Sequence, residues 1–395
     1  MKITISIPTT LIEALDKRIN THKDTHSLTT SQKAKLQKRL IELWYYIYDK
    51  QQGDSKCTNL EYFTNINKTK LKKFDIMISG YRLTYSQLIK IMGKLIKTND
   101  KYSATNFSKS YGIDIKSLKS KNISEIEIDF SKIFKNFKAK EYWLDKYPEQ
   151  KGIIETTYQT KVELSSYIKY MVDNKDSQLK PKYNKKTGKI DKRFLDTEHI
   201  LDYTNRVLKL NFNNIWFKLS STGRFYNTVS NLPGNSVAFT LIKGKKTVEL
   251  DLANAQPLLL STILSNKEYS KDCSEGIFYD VLAKELNLDR TSAKLKSYKH
   301  IFFGSKTLKS GVMYNALEKC YKGLIGEINE FKMNNTVWEV LQQMESDIFI
   351  KEMSKYNFDK CTRHDSILFL EEDYDLALEA IESILNEKGI KAKIV

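Results

Sequence analysis

Four short segments of this 395-residue chain hold residue types that do chemistry. The first is Ser220-Ser221-Thr222-Gly223-Arg224, with Asn231-Leu232-Pro233 after it. The second runs from Val248 to Pro257. It reads as an apolar strand that ends on Asp251 and opens a polar turn with Asn254 and Gln256. The third is Arg290-x3-Lys294-x3-Tyr298-x3-Phe302, which puts two cations and two aromatics on one helix face, with Phe303-Gly304 following. The fourth is Arg363-His364-Asp365-Ser366, a polar turn between apolar arms. A carboxylate exposed at a strand end can bind a hard divalent cation. Cations and aromatics sharing a helix face suit a triphosphate and a base. Taken singly, each segment also has a plain structural reading. Asp251 fits a helix N-cap, Asp365 an ordinary turn residue, and the third segment a solvated amphipathic helix.

Positioning these residues takes strands and helices together. Residues 246–252 alternate as a strand ending at Asp251, and 257–264 read as a buried helix. Residues 289–303 and 336–356 read as helices, the first with basic residues on it. Residues 361–370 read as a hairpin, 373–388 as a helix closed by Gly389, and 390–395 as a final strand. Antiparallel strands with helices on one face make an α+β fold. Upstream, 9–19 reads as a short helix. Residues 31–52 read as a longer one, with Ser31 as N-cap and Leu36, Leu40, Leu43, Trp44 and Ile47 at helical spacing. Residues 60–180 read as mainly helical, and 198–210 as a helix. No repeat recurs at a fixed period.

Apolar residues make up 41% of the chain and aromatics 11%, enough for sizeable cores, which excludes global disorder. With 5 Pro and 15 Gly it is not collagen-like or linker-dominated. No stretch approaches the ~18 apolar residues of a membrane span, and residues 1–10 lack a secretory apolar core. Cys57, Cys273, Cys320 and Cys361 form no C-x-x-C pair, which fits a reducing compartment and gives no zinc framework. A cytoplasmic location is expected. The net charge of +17 lies wholly in the first half: residues 1–215 hold 41 Lys+Arg against 24 Asp+Glu, and residues 216–395 hold 24 of each. A boundary near 215 would then separate a basic region, holding a polyanion by phosphate neutralisation, from a region that does chemistry. A Lys-rich solvated surface is the plain alternative. Interleaved Tyr and Phe can stack on bases. The turn Lys185-Lys186-Thr187-Gly188-Lys189 is a candidate nucleic-acid contact.

In combination and order, the four segments resemble the polymerase domain of the family A DNA polymerases and their relatives, the single-subunit phage and mitochondrial RNA polymerases. Ser220, Thr222, Gly223 and Arg224 match that family's T-x-T-G-R, and Asn231-Leu232-Pro233 a shortened N-L-x-x-x-P. Ala238-Phe239, Gly244 and Asp251 match the approach to its first catalytic Asp. Arg290 to Phe302 is similar to R-x3-K-x3-(F/Y)-x3-Y-G, with the glycine one residue later, at Gly304. Residues 342–348 resemble the helix Q-G-x-x-A-D-I, and residues 363–366 the V-H-D-(E/S) hairpin.

The resemblance covers about residues 216–395. It implies a right-hand polymerase with an antiparallel-sheet palm and reduced helical fingers, preceded by a mainly helical, thumb-like clamp over 1–215. It implies two Mg²⁺ ions, for which Mn²⁺ can substitute, about 3.5–4 Å apart. Asp251, Asp365 and the Leu252 carbonyl would hold them. Arg290 and Lys294 would bind the β and γ phosphates, with Lys294 also a general acid toward the leaving group. Tyr298 and Phe302 would stack on nucleotide and template base. Arg224 and Gln342 would contact primer or template, and His364 the primer terminus. Gln256 stands where DNA-making members carry a Glu that blocks the 2′-hydroxyl, which favours dNTPs, as does the short interval from Arg224 to Asp251. His364-Asp365-Ser366 and Gly304-Ser305-Lys306 are closer to the RNA enzymes. The expected function is DNA-dependent DNA polymerase acting on a primed DNA template with nucleoside triphosphates. A single-subunit RNA polymerase or primase is the alternative, and a non-catalytic nucleic-acid-binding protein with a degenerate core the third reading. Residues 1–215 show no exonuclease carboxylate set, so proofreading is not expected.

Overall fold

The computed structural model describes residues 2–52, 64–66, 68–99, 110–113, 123–129, 139–184, 190–304 and 307–395. The chain divides into two compact units. One comprises Met1–Phe137, Ile168–Asp176 and Leu195–Asn205; the other comprises Lys138–Tyr167, Ser177–Phe194 and Arg206–Val395. The division therefore differs from the expected one near residue 215, because three stretches of the basic half belong with the C-terminal unit. Lys+Arg against Asp+Glu is 27 to 18 in the first unit and 38 to 30 in the second, so positive charge is shared between them.

The first unit mixes helices with small antiparallel sheets, where mainly helical structure was expected. Lys2–Pro8 pairs with Ile123–Asp129, from Lys2 opposite Asp129 to Pro8 opposite Ile123. Thr64–Asn65, Ser110–Gly112 and Lys97–Asn99 form a second sheet. The helix Thr9–Thr21 buries Leu11, Leu15 and Ile19 along one stripe. The helix Thr30–Gln52 is capped by Thr29, not Ser31. The Thr29 N–H donates to Gln32 Oε1 at 2.9 Å, and its hydroxyl accepts the Gln32 N–H at 3.4 Å, a capping box. Residues 40–49 of this helix are buried on every side, which marks a central helix rather than a one-faced one.

The second unit is built on five antiparallel strands. In chain order they are β1 (Thr160–Val162), then, after two hairpins, β6 (Thr240–Ile242), β7 (Lys245–Asp251), β8 (Lys360–Thr362) and β9 (Ser366–Leu370). The intervening hairpins are β2 (Gln178–Tyr183) with β3 (Ile190–Phe194), and β4 (Phe217–Leu219) with β5 (Phe225–Asn227). The sheet order is β8-β9-β7-β6-β1. Lys243 and Gly244, at φ 53° and 77°, join β6 to β7 in a two-residue loop, the hairpin turn that matches strand twist. The helices that matter for the site are α1 (Ala255–Ser261), α2 (Phe278–Leu286), α3 (Arg290–Ser297), α4 (Val337–Ser346) and α5 (Tyr374–Glu387). All seven residues of α1 are buried. Leu250, Ile367 and Phe369 from the sheet share one core with Leu259, Phe278 and Ile381 from the helices. Both α3 and α4 run on into π turns, Tyr298–Phe302 and Asp347–Glu352. Residues 390–395 form a single bridge, Ile394 to Leu252, instead of a full strand. Among the described residues no helix is long and apolar enough to cross a membrane.

Candidate active site

The pairing of β7 with β9 brings the two aspartates together. Asp251 ends β7 opposite Ser366, and Asp365 is the residue before Ser366. Burial, Asp365 and Glu249 push the Asp251 carboxyl up to about 7, against the pull of Lys294 and the Leu252 N–H. Neighbouring carboxylates in a poorly solvated place resist ionising together. Asp251 Oδ1 is buried and has no hydrogen-bond partner. A carboxyl pair that repels itself, with an oxygen that no donor reaches, fits a hard divalent cation. The backbone supplies a third donor. Asp251 exchanges both its hydrogen bonds with Val395, at 2.9 Å each, so Leu252 directs its amide and carbonyl the opposite way, toward β9. Among the described residues no three His, Cys, Asp or Glu side chains gather to hold a metal. The donor set here is two carboxylates and one carbonyl.

Asp365 is presented by a strained turn. The Arg363 N–H donates to the Ser366 carbonyl at 2.9 Å, and His364 between them sits at φ 66°, an uncommon backbone for a residue with a side chain. Arg363 Nη1 donates to both Glu249 oxygens at 2.9 Å, and the Ser366 hydroxyl donates to Glu249 Oε1 at 2.5 Å. Glu249 lies two residues before Asp251, on the same face of β7. One β7 carboxylate thus clamps the turn that carries the other aspartate. His364 lies edge-on to Tyr226, with centroids 5.4 Å apart. Burial, Arg224 and Arg363 hold its pKa below the usual imidazole range.

Asp289 caps α3 by accepting the Ser292 N–H at 2.9 Å. Arg290, the first residue of α3, lies 3.1 Å from Asp280 and donates to Asn254 Oδ1 at 3.0 Å. Lys294, one turn on, has its Nζ 5.6 Å from the Tyr279 ring centre and 5.5 Å from that of Tyr298. Burial lowers the Lys294 pKa, while Asp365 and Asp251 work to raise it. The Tyr298 phenol is pushed up to about 12, mainly by burial and then by Asp365. Lys294 and Tyr298 on the α3 face therefore act electrostatically with the two aspartates.

After Ser297 the helix widens. The Phe303 N–H donates to the Tyr298 carbonyl, five residues back, at 2.8 Å, the bond of a π turn. The extra residue changes which aromatic is presented. Phe302 turns into the core at 1% exposure, and Phe303 is 50% exposed, its ring 5.5 Å from that of Tyr298. The exposed place expected for Phe302 is taken by Phe303. A Cβ at Gly304 would meet the Lys299 carbonyl oxygen at 2.7 Å and that of His300 at 3.1 Å. Gly304 thus follows directly on the π turn, which holds one residue more than an α turn.

A buried acid unanticipated from the sequence lies on α4. Glu345 is fully buried, and its Oε2 accepts from Arg224 Nη2 at 2.6 Å and from Gln256 Nε2 at 2.7 Å. The Thr222 hydroxyl donates to Gln342 Oε1 at 3.1 Å. Gly223, at φ 80°, lets the Ser220–Arg224 turn approach α4: a Cβ there would lie 3.2 Å from Ser346 Cβ. Burial pushes Glu345 up to about 7, and Arg224 only partly offsets it. For Arg224 burial works downward, yet Glu345 outweighs it and the pKa is raised. Gln256, expected at the nucleotide sugar, and Gln342, expected at primer or template, are both buried, the first bonded to Glu345 and the second to Thr222. Arg224 Nε, Asn254 Nδ2, Gln256 Oε1 and Glu345 Oε1 are buried without partners, like Asp251 Oδ1. Such atoms concentrate where a polar ligand or ordered water is received. A sequence signal for Glu345 existed, since it lies three residues after Gln342 and so on the same helix face.

Lys185, Lys186 and Lys189 lie outside the described residues. Comparison with protein-family models and with curated proteins finds no match for this chain.

Proposed function

We propose that this chain is a template-directed nucleotidyl transferase, a DNA-dependent DNA polymerase built like the polymerase domain of family A, with its reaction centre where β7 meets β9. The observation that carries the proposal is the juxtaposition of Asp251 and Asp365 within the field of Lys294. Asp251, Asp365 and the Leu252 carbonyl would hold Mg²⁺ or Mn²⁺. Bound there, two such ions supply activation of a primer 3′-hydroxyl and charge neutralisation at the departing pyrophosphate. The protein's own part is to orient and to stabilise charge. Lys294 would neutralise charge on the leaving phosphates and, with its pKa lowered by burial, hand a proton to the leaving oxygen. Arg290, pinned by Asp280 and Asn254, would hold the phosphate tail in line. Tyr298 and Phe303 offer the aromatic surface for the base.

One observation favours the ribonucleotide alternative. Gln256 spends its Nε2 on Glu345, and its Oε1 has no donor. A sugar hydroxyl would satisfy that acceptor, and a site built around such a bond discriminates against analogues lacking it. The test is incorporation of labelled dNTPs and rNTPs, offered separately on primed and unprimed templates with Mg²⁺ and with Mn²⁺. Primer-dependent dNTP incorporation is the expected result. Primer-free rNTP product would replace it with the RNA polymerase or primase reading, and no incorporation with either metal would defeat both.

A further inference from the structure

The hairpin β2–β3 carries most of the second unit's surplus charge. Residues 177–194 contain seven Lys or Arg and one Asp. By position this stretch belongs to the basic half of the chain, yet it is part of the unit that holds the aspartates, and β2 packs on α3. Its one acid, Asp191, accepts from Asn184 at 3.0 Å. Lys180 on β2 is exposed and makes no ion pair among the described residues. Its field acts on Lys294 together with those of Asp365, Asp251 and Arg290. Arg290 is partly neutralised by Asp280 at 3.1 Å, and Lys294 has no carboxylate within ion-pair distance among the described residues. Three cations set against one helix face repel one another, and the arrangement becomes favourable when a polyanion enters it.

We propose that Lys180 is the third cation of a polyphosphate-binding face, alongside Arg290 and Lys294, and that strand β2 is its wall. The inference rests on the nucleotidyl-transfer reading and deepens it: the ligand of this face is the triphosphate tail of the incoming nucleotide. A cation placed beside the leaving-group lysine acts on the nucleotide. One meant for the duplex need not share that lysine's field.

The experiment uses the full chain and inorganic tripolyphosphate as the probe, titrated calorimetrically without divalent metal. Lys180→Ala should weaken tripolyphosphate binding about tenfold, the loss of one charge-assisted contact. Lys180→Arg should recover most of it. Affinity for primed duplex should stay within about twofold, and in primer extension the nucleotide KM should rise while kcat changes little. Unchanged tripolyphosphate affinity in Lys180→Ala would overturn the inference. So would a fall in duplex affinity alone, which would assign the hairpin to nucleic acid instead. A parent chain that incorporates no nucleotide and binds no tripolyphosphate fails the nucleotidyl-transfer reading itself. A parent that does both, beside an indifferent Lys180→Ala, fails only this step.

Discussion

Substituting Glu345 by Gln should make the protein more stable at alkaline pH, although it removes one half of a buried ion pair. The carboxyl ordinarily ionises near 4.5 and is held up to about 7, because burial outweighs the attraction of Arg224. Below pH 4.5 the group is neutral in both folded and unfolded chains and costs nothing. As pH rises, the unfolded chain gives up the proton first and stability falls. Above about 7 the loss is complete, on the order of 3 kcal/mol. Gln mimics the neutral carboxyl and can still meet Arg224 and Gln256. Glu345→Gln should therefore match the parent within about 1 kcal/mol at pH 4.5 and exceed it by on the order of 2–3 kcal/mol at pH 8. Urea unfolding at pH 4.5, 6, 7 and 8 reads this directly. If the variant is weaker than the parent, and more so at pH 8, the Arg224 pair outweighs burial and the reasoning fails.

Two further substitutions probe the supports of the site. Gly304→Ala forces a methyl against two backbone carbonyls, so it should cost about 1–3 kcal/mol and lower kcat by displacing Tyr298 and Phe303; an unchanged melting temperature would contradict the π-turn account. Arg363→Ala strips Glu249 of two hydrogen bonds at 2.9 Å and should cost about 3 kcal/mol. Its kcat should fall more than the nucleotide KM rises, with partial recovery in Arg363→Lys. A kcat equal to the parent's would show that the clamp does not position Asp365.

The strand ending at Asp251 and the α3 helix were legible from local periodicity, and the hairpin around Asp365 from apolar arms flanking a polar turn. What was not legible has two causes. The strands Lys2–Pro8 and Ile123–Asp129 alternate cleanly, with Ile3, Ile5 and Ile7 in one and Ile126 and Ile128 in the other. The second lay inside a stretch read as mainly helical, and the first was assigned no element, because their partners in pairing lie more than a hundred residues apart. Glu345, Glu249 and Lys180 act through partners far away in the chain, and only the folded arrangement shows them. Phe302 and Phe303 show the finer limit: one inserted residue in a π turn exchanges a core aromatic for an exposed one, and helical spacing alone cannot register it.

Asp251 and Asp365 would act as one unit at the end of the sheet, and the proposed chemistry stands on that pairing. The most direct measurement is Mg²⁺-dependent primer extension by Asp251→Asn and Asp365→Asn, which preserve side-chain size while removing charge. Each variant should lose at least about a thousandfold in rate, while both bind primed template about as well as the parent. Extension within a few-fold of the parent by either variant would contradict it.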